Sequence, residues 1–269
     1  MHMQFTTKDN VNIEYNLQGD GDTTLLLVHG SCIDQSYWKD QVSHFSNKYK
    51  VVTLDLAGHG LSGHDRKQYS VDSWTNDIVE LIQHLYLKNV VLVGHSMGGA
   101  IIMFLANKIP GVVKGFVSVD FFKNAGNPLP KEYDEKSKEI IQGLKDDFEH
   151  TNMWYAKNLL MTNETPKAVA DRVINEYKNA DPKTVRDIMV DIFETAYKDE
   201  QRLLPQLPVK FYSINADYMP TNEEALNILC TNGYEVVNMH GTCHYPMIEY
   251  PDVFNKELEE VLMKIDQGS

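Results

Sequence analysis

Gly94-His95-Ser96-Met97-Gly98 places one hydroxyl between two glycines, directly after the apolar run "NVVLV" and directly before "GAIIMFLANK". Strand, G-x-S-x-G, helix is the context in which that short motif carries chemistry, because the serine is then thrown onto a sharp turn. Such a turn holds strained backbone angles and collides with bulky neighbours, and Gly94 and Gly98 remove the collision. The hydroxyl is left at the carboxyl edge of a sheet beside a helix N-terminus, where free N–H groups favour developing negative charge. We read Ser96 as a nucleophile for attack on a carbonyl.

A serine hydroxyl needs a base, and the base needs an orienting acid. Around a serine of this kind the acid and then the histidine follow later in the chain. Of ten histidines, His244 in "GTCHYPMIEYPDVF" falls between the last strand-like run and the last helix, where a base could reach across the sheet edge. His240, closing "EVVNMH", is its rival. His95 points away from the serine's side of the turn, and His29 and His59 sit in glycine-bordered turns that they are expected to fix. For the acid, Asp217 follows the strand-like "VKFYSIN". Asp120, after "FVSV", is the alternative, and Asp55 is expected to hold the "AGHGLSG" turn.

The carbonyl oxygen must also be held as it becomes anionic, by main-chain N–H groups aimed at it. Met97, next after the nucleophile, offers one donor. The loop after "LLLVHG" offers the other at Ser31, with Gly30 letting the chain turn.

Positioning these groups requires a sheet. "VNIEYNLQ" alternates like a half-exposed antiparallel strand. "TLLLVHG", "YKVVTLDLAG", "NVVLVGHS", "GFVSVD", "VKFYSINA" and "EVVNM" are nearly continuous apolar runs, the pattern of parallel strands covered on both faces. Helices fit 36–45, 71–86, 98–109, 222–230 and 250–264, the last with Pro251 in its first turn. This alternation predicts a doubly wound α/β sheet. From 124 to 204 no strand is expected. "NPLP", "NETP" and "NADP" start helices there, and Val185, Ile188, Met189, Ile192, Phe193 and Ala196 recur at helical spacing. Residues 124–204 are therefore expected to form a helical cap inserted into a core of 1–123 and 205–269.

The 25 Lys+Arg against 38 Asp+Glu leave a formal charge of −13, which disfavours nucleic acid or an anionic membrane as partner. Cys32, Cys230 and Cys243, odd in number and without CxxC spacing, argue against disulfides and against a zinc site. No leader-like segment and no bilayer-length apolar run is seen, so the expected location is the cytoplasm.

"LVHG", "LDLAGHGLSG", "LVGHSMGG", "DYMP" and "GTCHYPMIEYP" resemble successive signatures of the α/β-hydrolase superfamily, especially its esterase-like members with a helical cap. The loop "HGSCIDQSYW" is also similar to that of small signalling hydrolases related to plant strigolactone and karrikin receptors. The superfamily implies a mostly parallel eight-stranded sheet and a serine hydrolase with no cofactor and no metal. It implies Ser96 as nucleophile, His244 as base, Asp217 as acid, and Ser31 and Met97 as oxyanion donors. Cys32 stands where such loops often carry glycine or a small residue and Cys243 sits beside the proposed base; both are read as packing residues. The expected activity is cleavage of small, mostly uncharged carboxylic esters by a monomer or homodimer. The rivals are a ligand-sensing signalling protein on the same fold, and a hydrolase of amide, thioester or carbon–carbon bonds.

Overall fold

Each of the seven strand-like runs forms a strand in the structure, a computed structural model that describes residues 3–268. They are β2 (Asn12–Gln18), β3 (Thr24–Val28), β4 (Lys50–Leu54), β5 (Val90–His95), β6 (Val113–Val119), β7 (Phe211–Ala216) and β8 (Tyr234–Met239). An eighth, β1 (Met3–Thr6), pairs antiparallel with β2 at the sheet edge. The order is β1-β2-β4-β3-β5-β6-β7-β8, and from β4 onward all neighbours run parallel.

β3, β5 and β7 are buried along their whole length, which explains their unbroken apolar character. Successive side chains serve opposite faces. Leu92 of β5 joins the core under α2 (Val71–His84) and α3 (Met97–Lys108), while Val91 and Val93 join the core under α1 (Lys39–Phe45) and α11 (Pro251–Gln267). Trp74 of α2 and Trp38 beside α1 are fully buried, one in each core.

Between β6 and β7 the chain is helical: α4 (Lys131–Asp146), α5 (Phe148–Leu159), α6 (Lys167–Asn179), α7 (Pro182–Glu194) and α8 (Ala196–Leu203). Asp181 caps α7 by accepting from the Thr184 amide, with Pro182 in the first turn. The apolar periodicity from Val185 to Ala196 spans a break, because Thr195 separates α7 from α8. The insert's outgoing helix is fastened to the loop that starts it. Gly126 N donates to Glu200 Oε2 at 2.7 Å, and Gln201 Nε2 donates to Gly126 O at 2.7 Å. The last helices are α9 (Glu223–Leu229) and α10 (Pro246–Glu249), the latter just ahead of α11.

Candidate active site

Ser96 joins β5 to α3 with φ 52° and ψ −123°, a conformation that costs a residue with a side chain about 1–3 kcal/mol. Two things hold it there. Its amide donates to Val119 O of the neighbouring β6 at 2.9 Å, and its carbonyl accepts from Gly99 N at 2.7 Å. The glycines are sterically required. A Cβ at Gly98 would stand 2.5 Å from Val28 O and 2.8 Å from His29 O, and one at Gly94 would run into the Gly98 carbonyl. As first residue of α3, Met97 has no intrahelical partner for its N–H.

β3 lies beside β5 in parallel register, Val28 opposite Gly94, so the loop leaving β3 reaches the serine turn. A Cβ on Gly30 would come within 3.1 Å of the Ser96 Cβ. His29 fixes this loop: its Nδ1 donates to Gly30 O at 2.7 Å, and its Nε2 accepts from Leu56 N at 3.0 Å. Burial holds this imidazole below the usual histidine range, keeping it neutral. Asp55 accepts from Gln35 N at 2.9 Å and Leu61 N at 2.8 Å, tying the same region to the turn after β4.

His244 lies in the loop between β8 and α10 and is 6% exposed. Its carbonyl accepts from His95 Nε2 at 2.7 Å, which anchors the loop to the residue preceding Ser96. The two imidazole centroids are 4.7 Å apart. Burial, then the charge of His244, pushes the His95 pKa down to about 3, so His95 is a neutral donor. His244 Nδ1 lies 2.7 Å from Asp120 Oδ2; a carboxylate only accepts, so Nδ1 carries the hydrogen and Nε2 keeps the basic lone pair.

Asp120 ends β6, the strand next to the nucleophile's own, and is itself left-handed at φ 49°. Oδ1 accepts from Ala216 N at 2.9 Å and from Lys123 Nζ at 2.8 Å; Oδ2 accepts also from Tyr218 OH at 3.1 Å. Burial alone would raise its pKa, but the His244 bond and charge, with Lys123, outweigh burial and hold it at about 2. Ser96, Asp120 and the loop after β3 thus stand at neighbouring strand ends, and His244 is tied to them through Asp120 and His95.

A model of the α/β hydrolase fold matches residues 23–152. An esterase from Thermogutta terrifontis superposes with TM-score 0.81 at 22% identity, covering 98% of this chain and 99% of its own. A bromoperoxidase from Bacillus anthracis superposes with TM-score 0.82 at 20% identity, covering 98% and 100%. The chain has the α/β-hydrolase fold. Among related sequences, the (E)-2-((N-methylformamido)methylene)succinate hydrolase of Acinetobacter baylyi is 27% identical over 165 residues, 61% of this chain and 60% of that one. The chain spans between 26% and 60% of the length of the curated relatives it matches.

The carboxylate bonded to His244 is not the expected Asp217. Asp217 follows β7 at the exposed rim, where its Oδ2 accepts from His240 Nδ1 at 2.8 Å and its Oδ1 from Gly241 N at 3.2 Å. The His240 bond holds its carboxyl below the usual range. The two carboxylates and two histidines at this edge therefore pair as Asp120 with His244 and Asp217 with His240. Asp217, the expected acid, is thus not brought to His244; Asp120, the weighed alternative, holds that position. Lys123 and Tyr218 gave no signal in the sequence beyond their closeness to these two acids.

Two cavities flank the site where the insert meets the core. One of ≈ 210 Å³ is lined by Met97, Ala100, Met103, Phe104, Phe121 and Ile192, with Glu200 at its wall. Another of ≈ 230 Å³ reaches Asp120, Lys123, Tyr218, Ile192 and Phe193. Of the insert's apolar residues, Ile192 and Phe193 line these cavities, while Leu160 and Ile188 pack into the core. Cys32 and Cys243 are free and buried, and burial pushes their thiols up to about 11 and about 12.

Proposed function

We propose that the protein hydrolyses small, mostly uncharged carboxylic esters through an acyl-enzyme on Ser96. What carries the reading is the buried Asp120–His244 pair, anchored through His95 to the strained turn that presents Ser96. His244 Nε2 takes the Ser96 proton as Oγ bonds to the ester carbonyl carbon. The Met97 and Ser31 amides hold the oxyanion, and Asp120 steadies the imidazolium. Collapse of the tetrahedral adduct breaks the bond to the alcohol, which leaves with the proton from His244. Water then attacks the acyl-enzyme by the same sequence and returns free Ser96.

The cavity beside Met97 is walled by Met103, Phe104, Phe121 and Ile192 with the acids Asp191, Asp199 and Glu200 at its margin, which favours an uncharged acyl or alkyl group over an anionic one, and the helices of 124–204 serve as the cap over it. The sensor alternative rested on "DQSYW" and on the acidic helical insert, and the fold bears on the first of these. That segment folds as a short 3₁₀ turn with Tyr37 and Trp38 fully buried, so it presents no aromatic surface to a partner.

The test is turnover of p-nitrophenyl esters of increasing chain length. Ser96→Ala should lose about 10⁴-fold or more in kcat, and a fluorophosphonate should add once, at Ser96. Full activity in Ser96→Ala, or activity confined to amides, would overturn the ester reading.

A further inference from the structure

A buried cation sits one carboxylate oxygen away from the relay. The Lys123 side chain is 9% exposed, and its Nζ lies 2.8 Å from Asp120 Oδ1. It also donates to Ala216 O at 2.8 Å and lies 3.9 Å from the centroid of the Tyr218 ring. An ammonium withdrawn from water is costly unless its donors are met. Here two fixed acceptors and an aromatic face replace the solvent.

The backbone is bent to bring it there. Asp120 and Phe122 are both left-handed, at φ 49° and φ 53°, within a four-residue span. Such residues are strained and persist where the surroundings impose them. The double bend curls Lys123 back onto Asp120 instead of letting it run out to solvent with the loop. Neutralisation alone does not explain the placement, because Lys123 takes Oδ1 and leaves Oδ2 to His244 and Tyr218.

We infer that Lys123 is a positioning residue for acyl transfer: it fixes Asp120 so that Oδ2 faces His244, and its charge sets how firmly the relay holds a proton. The inference rests on the acyl-transfer reading of Ser96. When His244 takes the serine proton, the resulting imidazolium faces a carboxylate already shared with a cation. It is therefore held less tightly than beside a lone carboxylate, and passes the proton on to the leaving alcohol more readily. The groups around the imidazole are His95 from β5, Asp120 and Lys123 after β6, and Tyr218 after β7. Tyr245 lies in its own loop. Lys123 is the only permanent cation in that set.

The experiment is the pH profile of kcat/KM for p-nitrophenyl acetate in Lys123→Gln, Lys123→Met and Lys123→Arg, with Ser96→Ala alongside. Lys123→Gln keeps a donor for Asp120 and loses the charge, so the acidic limb should move up by about one pH unit. Lys123→Met, lacking donor and charge, should show the same shift and a further fall of about 10-fold or more in kcat. Lys123→Arg should restore the wild-type limb. An unmoved limb in folded Lys123→Gln, with Ser96→Ala inactive, would overturn the role of Lys123 alone. Retained turnover in Ser96→Ala would instead overturn the acyl-transfer reading. If Lys123→Met does not fold, the Gln and Arg pair still decides the matter.

Discussion

Asp120 Oδ2 stands 2.7 Å from His244 Nδ1 inside the protein, while one strand further out Asp217 Oδ2 stands 2.8 Å from His240 Nδ1 at the surface. Two acid–imidazole pairs of the same kind lie at one sheet edge, and only the buried one is tied to the serine turn. Asp120→Asn should lower kcat by about 10³–10⁴-fold, because the imidazole loses both its tautomer and its counter-charge. Asp217→Asn should stay within about threefold, as expected of an exposed pair worth about 0–1 kcal/mol. Ester kinetics on the two variants check this, and the reverse ranking would return the acid to Asp217.

The donor bond from His95 to the His244 carbonyl is the tether between the base and the nucleophile's strand. His95→Phe fills the space but leaves a buried carbonyl without its donor, a cost of about 1–3 kcal/mol. Melting should show that loss. kcat/KM should fall with KM little changed, since the base is displaced and the binding walls are not.

Gly98 has no room for a methyl group, whose nearest contacts would be the carbonyls of Val28 and His29 at 2.5 Å and 2.8 Å. Backbone cannot swing aside as a side chain can, so Gly98→Ala should abolish activity or prevent soluble accumulation. Gly111→Ala, where nothing lies within 4 Å, is the control and should change stability by less than about 0.5 kcal/mol.

Glu200 is buried at the seam between insert and core, and burial raises its pKa to about 7 against the pull of the Gly126 amide. The folded state therefore keeps a proton that the unfolded chain releases from about pH 4.5 upward. Stability should fall by up to about 3 kcal/mol as pH rises from 4.5 to 8. Glu200→Gln keeps an acceptor for Gly126 N and removes the ionisation. It should be more stable than wild type at pH 8 and equal to it at pH 4, as read by denaturant midpoints. Asp120 acts in the opposite sense lower down: its depressed carboxyl contributes stability above its unfolded value, lost as pH falls towards about 2.

The parallel strands were legible because burial on both faces leaves continuous apolar runs, as in "TLLLV" and "VVLVG". β1 was not, since four residues at an edge carry too little pattern to separate from a loop. The serine turn was legible because steric need writes itself into the chain as Gly94 and Gly98. The carboxylate beside His244 was not, because Asp120 and Asp217 each follow a strand. What separates them is which of the two the His244 loop reaches, which no local spacing records. Lys123 escaped for a related reason: its return to Asp120 depends on two left-handed residues, neither of them glycine.

The peptide at Gly126, gripped on its N–H by Glu200 and on its carbonyl by Gln201, closes the helical insert near where it leaves and rejoins the sheet. The insert is also stitched to the core along its length: Tyr69 N donates to Asp187 Oδ2 at 2.9 Å, and His244 N donates to Leu160 O at 3.3 Å. A foreign segment grafted in its place should therefore disturb the histidine loop itself unless those stitches are rebuilt with it.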